Sequence, residues 1–564
     1  MPEYLTPGVY FEFRDAAPRF RGVRTDIAGF VGLAESGPLD APVRLESWRQ
    51  FQTLFGDLVP YAFLAYAVKG FFENGGRTCF VVRVAGHTAA RAERLLKNAS
   101  GVEVIRLSAR DEGVWGNRLG FTFRVHNAKE FSLVVSNGVF RESFARLSVD
   151  KNSPRYFARI VNEGDELTPR SHWLRAELNA GLPPGTDLLP DASKSALDKG
   201  VGFLSGGADG LASLTREDFI CGSGGAPSGA KRGLCALEDI DAVSIVAIPD
   251  IHVQPVVEPP APPPPVSPPK DPCLPSSPAP PVAASTPPAT PEQTPVFSED
   301  DVAAVQQALI DHCERLKDRF AILDAPLRQG GAALTLEEVQ QWRSRFESAR
   351  GFAALYYPWI KVVEPPAARR GLTRAVPACG HLAGVYARTD LSKGVHCAPA
   401  NAELFWSSDV KAVVGEAAQG VLNPVGINCI RAFPGRGIRV YGARTVSSDP
   451  DWRYVNVRRL MSMIEESIDE ATQWAVFEPN DFTLRQTLSM GVSNFLENIW
   501  REGALQGKTR EEAFFVKCDE TNNPPESVAL GRLITDVGVA PVRPAEFIVF
   551  RVGRTIEELE IVER

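Results

Sequence analysis

From Pro255 to Pro295 the chain carries 18 prolines in 41 residues, and most of the remainder is Ala, Ser, Val and Thr. Proline lacks an amide donor and fixes φ, so this stretch can join neither a helix nor the interior of a sheet. It reads as an extended, polyproline-type surface excursion. Any fold must close around it. Ahead of it, Val243-Ser-Ile-Val-Ala-Ile-Pro249 is an apolar run consistent with a buried strand. Behind it, Ser298-Glu-Asp-Asp301 caps a helix with apolar residues at Val302, Val305, Leu309, Cys313, Leu316 and Phe320. A second strand (320–326), a second capping box (Thr335 to Glu338) and a third strand (352–360) follow. Strand, helix, strand, helix, strand predicts an α/β layer with parallel strands. The proline stretch could serve as a PxxP ligand. The plainer reading is a loop insertion, because loop-closure entropy grows slowly with length.

The rest of the chain is ordinary in composition. Its 564 residues make three to four domains at about 150 residues each. With 44% apolar and 23% charged residues it can build sizeable cores. A net charge of -8 argues against coating nucleic acid as its main task. Nine scattered cysteines without a CxxC pair fit a reduced compartment better than a disulfide scaffold. The N-terminus has no basic n-region or apolar h-region and is not read as a secretory signal. No run of 18 apolar residues is present.

Other segments can be placed by periodicity. A helix near Tyr61 to Asn74 precedes a strand at Cys79 to Val84. Phe131 to Val135 and Val139 to Phe144 flank Asn137-Gly138, a hairpin signature. Val457, Leu460, Met461, Ile464, Ile468, Ala471 and Trp474 fall on one helical face, with Arg458 and Arg459 elsewhere on the helix. Asn480 is positioned to cap a further helix bearing Leu484, Leu488, Val492, Phe495, Leu496 and Ile499. Strands are expected at 533–539 and 547–552. Both ends read as arms. Val9, Phe11 and Phe13 alternate with Tyr10 and Glu12 after Pro7-Gly8; Leu559 and Ile561 alternate with glutamates after Gly553. A lone terminal strand must fray, fold back, or add to a sheet edge.

The search for chemistry returns weak signals. Gly503 to Thr509 has three residues between its glycines where a phosphate loop needs four, so a helix terminus and turn is the expectation. Gly435-Arg-Gly437 is a fragment of a dinucleotide fingerprint and reads as a turn. Cys379, His381, His396 and Cys397 lack structural zinc spacing. Glu465, Glu466, Asp469 and Glu470 pair at i, i+4 and read as a solvated or partner-facing acidic stripe.

Several stretches nevertheless carry a family likeness. They include Thr6-Pro-Gly-Val-Tyr-Phe-Glu12, Gly113-Val-Trp-Gly-Asn-Arg-Leu119 and His381-Leu-Ala-Gly-Val-Tyr-Ala-Arg-Thr-Asp390. Others are Tyr441-Gly-Ala-Arg-Thr445, Trp452-Arg-Tyr-Val-Asn-Val-Arg-Arg459, Trp474-Ala-Val-Phe-Glu-Pro-Asn-Asp481 and Phe495-Leu-Glu-Asn-Ile-Trp500. Ala513 to Cys518, Val537 to Pro541 and Pro544 to Phe550 complete the set. On these the chain resembles the contractile tail sheath proteins of phages and of phage-like contractile injection systems. The likeness is most specific from about residue 375 onward; the proline stretch departs from it.

The resemblance implies an α/β and α+β multidomain chain with a C-terminal α/β domain, outward middle domains and extended strand arms. The expected segments are an N-terminal arm (1–20), an α/β segment (21–110), a β-rich outer domain (111–230), an α/β segment carrying the insertion (231–365), a C-terminal sheath domain (366–552) and a C-terminal arm (553–564). It implies a structural subunit with no catalytic residues, cofactor or metal. Stacked hexameric rings would surround an inner tube, with baseplate and terminal cap proteins as further partners, and no direct nucleic-acid contact or membrane insertion. Assembly is expected in the bacterial cytoplasm, within a virion tail or a cytoplasmic or released injection particle. Val9, Tyr10, Phe11, Glu12 and Phe13 would augment a neighbour's sheet, with Ile556, Leu559 and Ile561 in the partner arm. Pro7, Gly8 and Gly553 would be hinges, and Arg485 and Arg501 would face the tube. A non-contractile tube or capsid component and a nucleotide-binding or hydrolytic enzyme stand as alternatives.

Overall fold

A computed structural model describes residues 20–183, 185–191, 202–221, 231–252, 292–328, 330–364, 373–546, 554–556 and 559–561. The chain enters its main sheet at β1 (Ala28–Gly32), buried along its whole length. After β2 (Val43–Leu45) and α1 (Trp48–Phe55), α2 (Leu64–Glu73) leads into β3 (Cys79–Arg83). β3 runs parallel to β1 with Ala28 opposite Cys79, as a helical crossover requires.

A β-rich unit then interrupts. Its strands are β4 (Glu93–Lys97), β5 (Glu103–Ala109), β6 (Gly120–Asn127), β7 (Glu130–Ser136) and β8 (Arg141–Ser148). α3 (Phe157–Asn162), β9 (Leu174–Leu178) and β10 (Gly202–Phe203) complete it. The strands form two antiparallel sheets, β4-β5-β9 and β10-β6-β7-β8, around a separate core that includes Phe121, Phe131, Leu133 and Phe157. This unit begins with β4, ahead of the expected boundary at 111. Its β7–β8 hairpin turns where Asn137-Gly138 was expected to turn it. Asn137 Oδ1 accepts from the amides of Val139 and Phe140 at 3.0 and 2.8 Å, and Gly138 takes φ 93°.

The main sheet resumes past α4 (Arg216–Ile220) with β11 (Ile245–Ala247), α5 (Glu299–Leu316), β12 (Phe320–Asp324), α6 (Leu336–Arg343) and β13 (Ala353–Tyr357). Both expected capping boxes form, Ser298 with Asp301 and Thr335 with Glu338. β11, β12 and β13 are parallel, with Ile245 opposite Phe320 and Ala321 opposite Ala353. The strand expected over 352–360 stops at Tyr357, because Pro358 offers the ladder no donor. Beyond it β14 (Ile360–Val363) pairs in another sheet with β15 (Thr373–Val376).

After α7 (Cys379–Lys393) come β16 (Ala402–Glu403), β17 (Asp409–Val410), α8 (Glu416–Leu422), β18 (Ile427–Phe433) and β19 (Gly437–Tyr441). Gly435 and Gly437 take φ 71° and 75° in the β18–β19 turn. The nine-stranded order is β16-β19-β18-β13-β12-β11-β1-β3-β2. The three segments read from sequence as 21–110, 231–365 and 366–552 thus all place strands in one sheet. Cys221 and Cys235 are joined by a disulfide, a single local staple where unpaired thiols were expected; the other described cysteines are free.

Two buried carboxylates tie helices to strand ends. Asp250 accepts from Leu33 N at 2.6 Å, Leu64 N at 3.2 Å and Phe63 N, holding the start of α2. Asp324 accepts from Ala378 N at 2.9 Å and Cys379 N at 3.2 Å, holding the start of α7. Carboxylates suit helix N-termini because those amides lack intrahelical partners. The helices they hold pack closely through Gly380 and Gly384: a Cβ at either would meet α2 backbone at 2.3 or 2.5 Å. Burial pushes the Asp250 carboxyl up to about 7, against the pull of its three amides. A folded pKa above the unfolded value contributes stability that is complete below about pH 4 and is lost as pH rises through about 7. D250N should therefore cost about 1–3 kcal/mol in urea unfolding, with a larger penalty at about pH 4.5 than at about pH 7.5. A penalty that stays constant across that range contradicts this role.

Candidate assembly interface

The C-terminal unit starts with α9 (Val455–Thr472), whose Val457, Leu460 and Ile464 are buried as their spacing predicts. Arg458 and Arg459, read from sequence as lying off the apolar face, are also buried, at 1% and 3% exposure. Each has found a partner that periodicity cannot reveal. Arg459 forks onto Asp390 of α7 at 2.6 and 2.9 Å and donates to Thr25 O at 2.7 Å. Thr25 Oγ1 in turn donates to Asp390 at 2.7 Å. Arg458 lies over the rings of Phe352 and Trp452 at 4.4 and 4.6 Å and reaches Glu465 at 3.1 Å. Arg444 forks onto Glu546 in the same manner.

α10 (Phe482–Arg501) follows, and all six residues of its expected stripe are buried. Its cap is Asp481, which accepts from Leu484 N at 2.8 Å, and not Asn480. Asn480 instead donates to Arg532 O at 2.9 Å. Phe20 packs on this helix, its ring 6.2 Å from that of Phe495 and over Gly491, where a Cβ would strike it. Arg485 is half-buried on the helix flank, whereas Arg501 is exposed and pairs with Glu497 one turn back. Past α10, Gly503 takes φ 82° and its amide donates to Trp500 O at 2.9 Å, the helix terminus expected there.

Between α11 (Arg510–Ala513) and α12 (Pro525–Ala529) lies β20 (Phe514–Lys517), which pairs antiparallel with β21 (Asp536–Val539). The expected 533–539 strand is thus shorter by three residues. Phe514 enters the core shared with α9 and α10, as do Val516 and Val539 in part, while Phe515 is 58% exposed and lies across Gly538. Among the described residues no third strand pairs with either β20 or β21, so each presents one open backbone edge. Leu530, Phe477 and Phe482 add exposed apolar surface to the same unit.

The chain ends in β22 (Arg554–Ile556) and β23 (Leu559–Ile561), which pair with each other, Ile556 opposite Leu559. The sequence reads 553–564 as an arm that adds to a sheet edge; in the single chain the described part of it answers its own backbone groups as a hairpin. Val9, Tyr10, Phe11, Glu12, Phe13, Pro7, Gly8 and Gly553 lie outside the described residues, as do the expected 547–552 strand and the proline stretch up to Pro291.

The four α9 carboxylates line an open cleft of ≈ 780 Å³ with Asp241, Asp318 and Arg24. Burial, then the charge of Asp318, pushes the Glu466 carboxyl up to about 8. Cys379 faces Asp324, and His381 stacks on Trp406 with centroids 5.5 Å apart. Cys379, His381, His396 and Cys397 are thus divided among other partners or half-exposed, and among the described residues no three His, Cys, Asp or Glu side chains are grouped to hold a metal ion.

Two outcomes follow from these placements. Arg459→Ala strands Asp390 in the interior and should cost about 3–5 kcal/mol in denaturant unfolding. The raised pKa of Glu466 means its contribution to stability is present below about pH 4 and lost as pH rises through about 8. Glu466→Gln should therefore melt higher than the parent by an amount that grows from about pH 5 to about pH 9, reaching about 1 kcal/mol after allowance for solvent screening. Parallel melting curves across that range would count against it.

Residues 294–446 match the family model of the phage tail sheath protein central domain, and residues 447–555 that of the phage tail sheath C-terminal domain. The tail sheath protein of Salmonella phage ViI is 28% identical over 255 residues, 44% of this chain and 39% of that protein. That of Vibrio phage KVP40 is 28% identical over 197 residues, 34% of this chain and 28% of that protein. The match spans well under half the length of either relative. In fold, the chain resembles the helical sheath of the anti-feeding prophage in its contracted state, with a TM-score of 0.53 and 22% identity over 97% of this chain and 99% of that one. Residues 294–555 thus match two adjoining phage tail sheath domains, and this stretch supplies five strands of the nine-stranded sheet together with the open-edged C-terminal unit.

Proposed function

We propose that this protein is the structural subunit of a contractile sheath. Copies polymerise as stacked rings around an inner tube and, on a signal from a baseplate, shorten to drive that tube through a target envelope. The observation that carries this reading is the two-stranded β20–β21 sheet, whose outer edges have no strand partner among the described residues. Two-stranded sheets are marginal alone and gain from added strands. Phe20 belongs to the apolar cluster that receives β20 and β21, and Glu546 is pinned by Arg444.

In the assembly, Val9 to Phe13 of one copy and the 554–562 segment of another add to that sheet. The hairpin of the single chain opens so that Ile556, Leu559 and Ile561 pair with a neighbour in place of each other. Exchanging one ladder for another conserves backbone hydrogen bonds, so the barrier, more than the balance, separates the two states. Pro7, Gly8 and Gly553 act as hinges that let subunits rotate while the ladders stay paired. Arg485 and Arg501 on α10 face the tube. The rings are hexameric, a cap protein closes the end, and the particle assembles in the bacterial cytoplasm. The work comes from a packing difference of a few kcal/mol per subunit, summed over the lattice, with no cofactor consumed.

Deleting residues 1–14 tests this by electron microscopy of the purified assembly. The truncated chain should stay folded by its melting curve but fail to form ordered sheaths. The full chain should give long, narrow particles that turn short and wide on acid or denaturant. Normal-length sheaths from the truncated chain defeat the arm exchange, and filaments of one length under every trigger mark a static tube.

A further inference from the structure

A second cavity, of ≈ 650 Å³, lies between the β4-β5-β9 sheet and the loop and helix that follow β1. Its lining includes Arg110, Arg118, Arg170 and Arg175, with Trp115 and Trp173. The register of β5 and β9 explains the grouping. Ser108 stands opposite Arg175, and Arg110 N donates to Trp173 O at 2.8 Å. Opposed residues share a face and strand neighbours alternate, so Arg110, Trp173 and Arg175 project from the same side of the sheet. Arg170 joins them from the segment that leads into β9.

The charges on this wall do not balance. Arg118 is paired with Glu35 across the cavity, and Glu142 is engaged by His172 at 3.0 Å and by Ser171. Asp111 is half-buried in the lining and lies within electrostatic reach of Arg83. Among the described residues Arg110, Arg170 and Arg175 form no ion pair, and Arg110 has one acceptor, Ser171 O at 2.9 Å. The structural arginines of this protein are held differently: Arg459 and Arg444 each fork onto a carboxylate, and Arg83 donates to two carbonyls, at 3.0 and 2.8 Å. Burial lowers the pKa of Arg110, and repulsion from Arg170 and Arg175 lowers it further against the weaker opposing pulls of Asp111 and Glu142. A concave wall of like charge with low-dielectric flanks focuses its field on an incoming counter-charge.

We propose that this cavity binds a ligand carrying at least two oxyanion groups, carboxylate or phosphate. Each guanidinium offers a planar fork suited to bidentate capture of such a group. The two indoles supply apolar walls that shed water around the pair. Because the facing walls belong to different sheets, an occupant bridges the β-rich unit to the main sheet.

The test is titration of the purified full-length chain with pyrophosphate and with citrate, read by tryptophan fluorescence, at constant ionic strength set with chloride. Saturable binding of both supports a general oxyanion site. Saturation by pyrophosphate alone identifies phosphate, and by citrate alone carboxylate. Arg175→Ala should weaken binding about tenfold or more, with Arg175→Lys in between and the ligand-free melting curve unchanged. Arg170→Ala is the second variant should the first fail to fold. No saturable signal with either probe, or unaltered binding by a folded alanine variant, overturns the proposal.

Discussion

The buried fork of Arg459 on Asp390 joins three parts of the chain that are far apart in sequence. Asp390 sits on α7 at the main sheet, Arg459 on α9 of the C-terminal unit, and Thr25 at the entry to β1 bonds to both. A buried ion pair adds little over a well-packed apolar contact, but removing one partner leaves the other charged and dry. The pair therefore acts as a positional constraint. It holds the C-terminal unit in one orientation on the main sheet, and it holds the N-terminal segment next to that unit. Arg444 with Glu546 does the same for the departing C-terminal segment.

A rigid mount has a purpose if the mounted element is incomplete. β20 and β21 bury Phe514 against the α9–α10 cluster and show their outer backbone to solvent. Open edges invite further strands, wanted or not. Here the edges are short, and Lys517 and Asp536 at one end of the ladder place charge beside them. Such a device discourages indiscriminate stacking while leaving room for a matched segment. The unit is held to the rest of the chain by side-chain packing; in the proposed assembly, backbone ladders between copies would supply the cohesion.

Charge is distributed in keeping with this division. Carboxylates from α9 gather with Asp241 and Asp318 in one cleft, and arginines gather in another between the β-rich unit and the main sheet. Neither cluster is neutralised within its own wall. Long-range charge of this sort orients encounters more than it tightens them, and salt weakens it.

Features whose causes lie close by along the chain can be read from the residues alone. The capping boxes at Ser298 and Thr335, the buried stripe of α10, the Asn137-Gly138 hairpin and the parallel run β11-β12-β13 were all legible. Long-range packing, by contrast, inserts β18 beside β13, brings Cys221 to Cys235, and turns Arg458 and Arg459 inward. An arginine reads as a surface residue until its partner is known, and Asp390 lies 69 residues from Arg459, with Thr25 434 away. Periodicity registers which face a side chain takes. It carries no record of what waits opposite, and for a buried charge that decides everything.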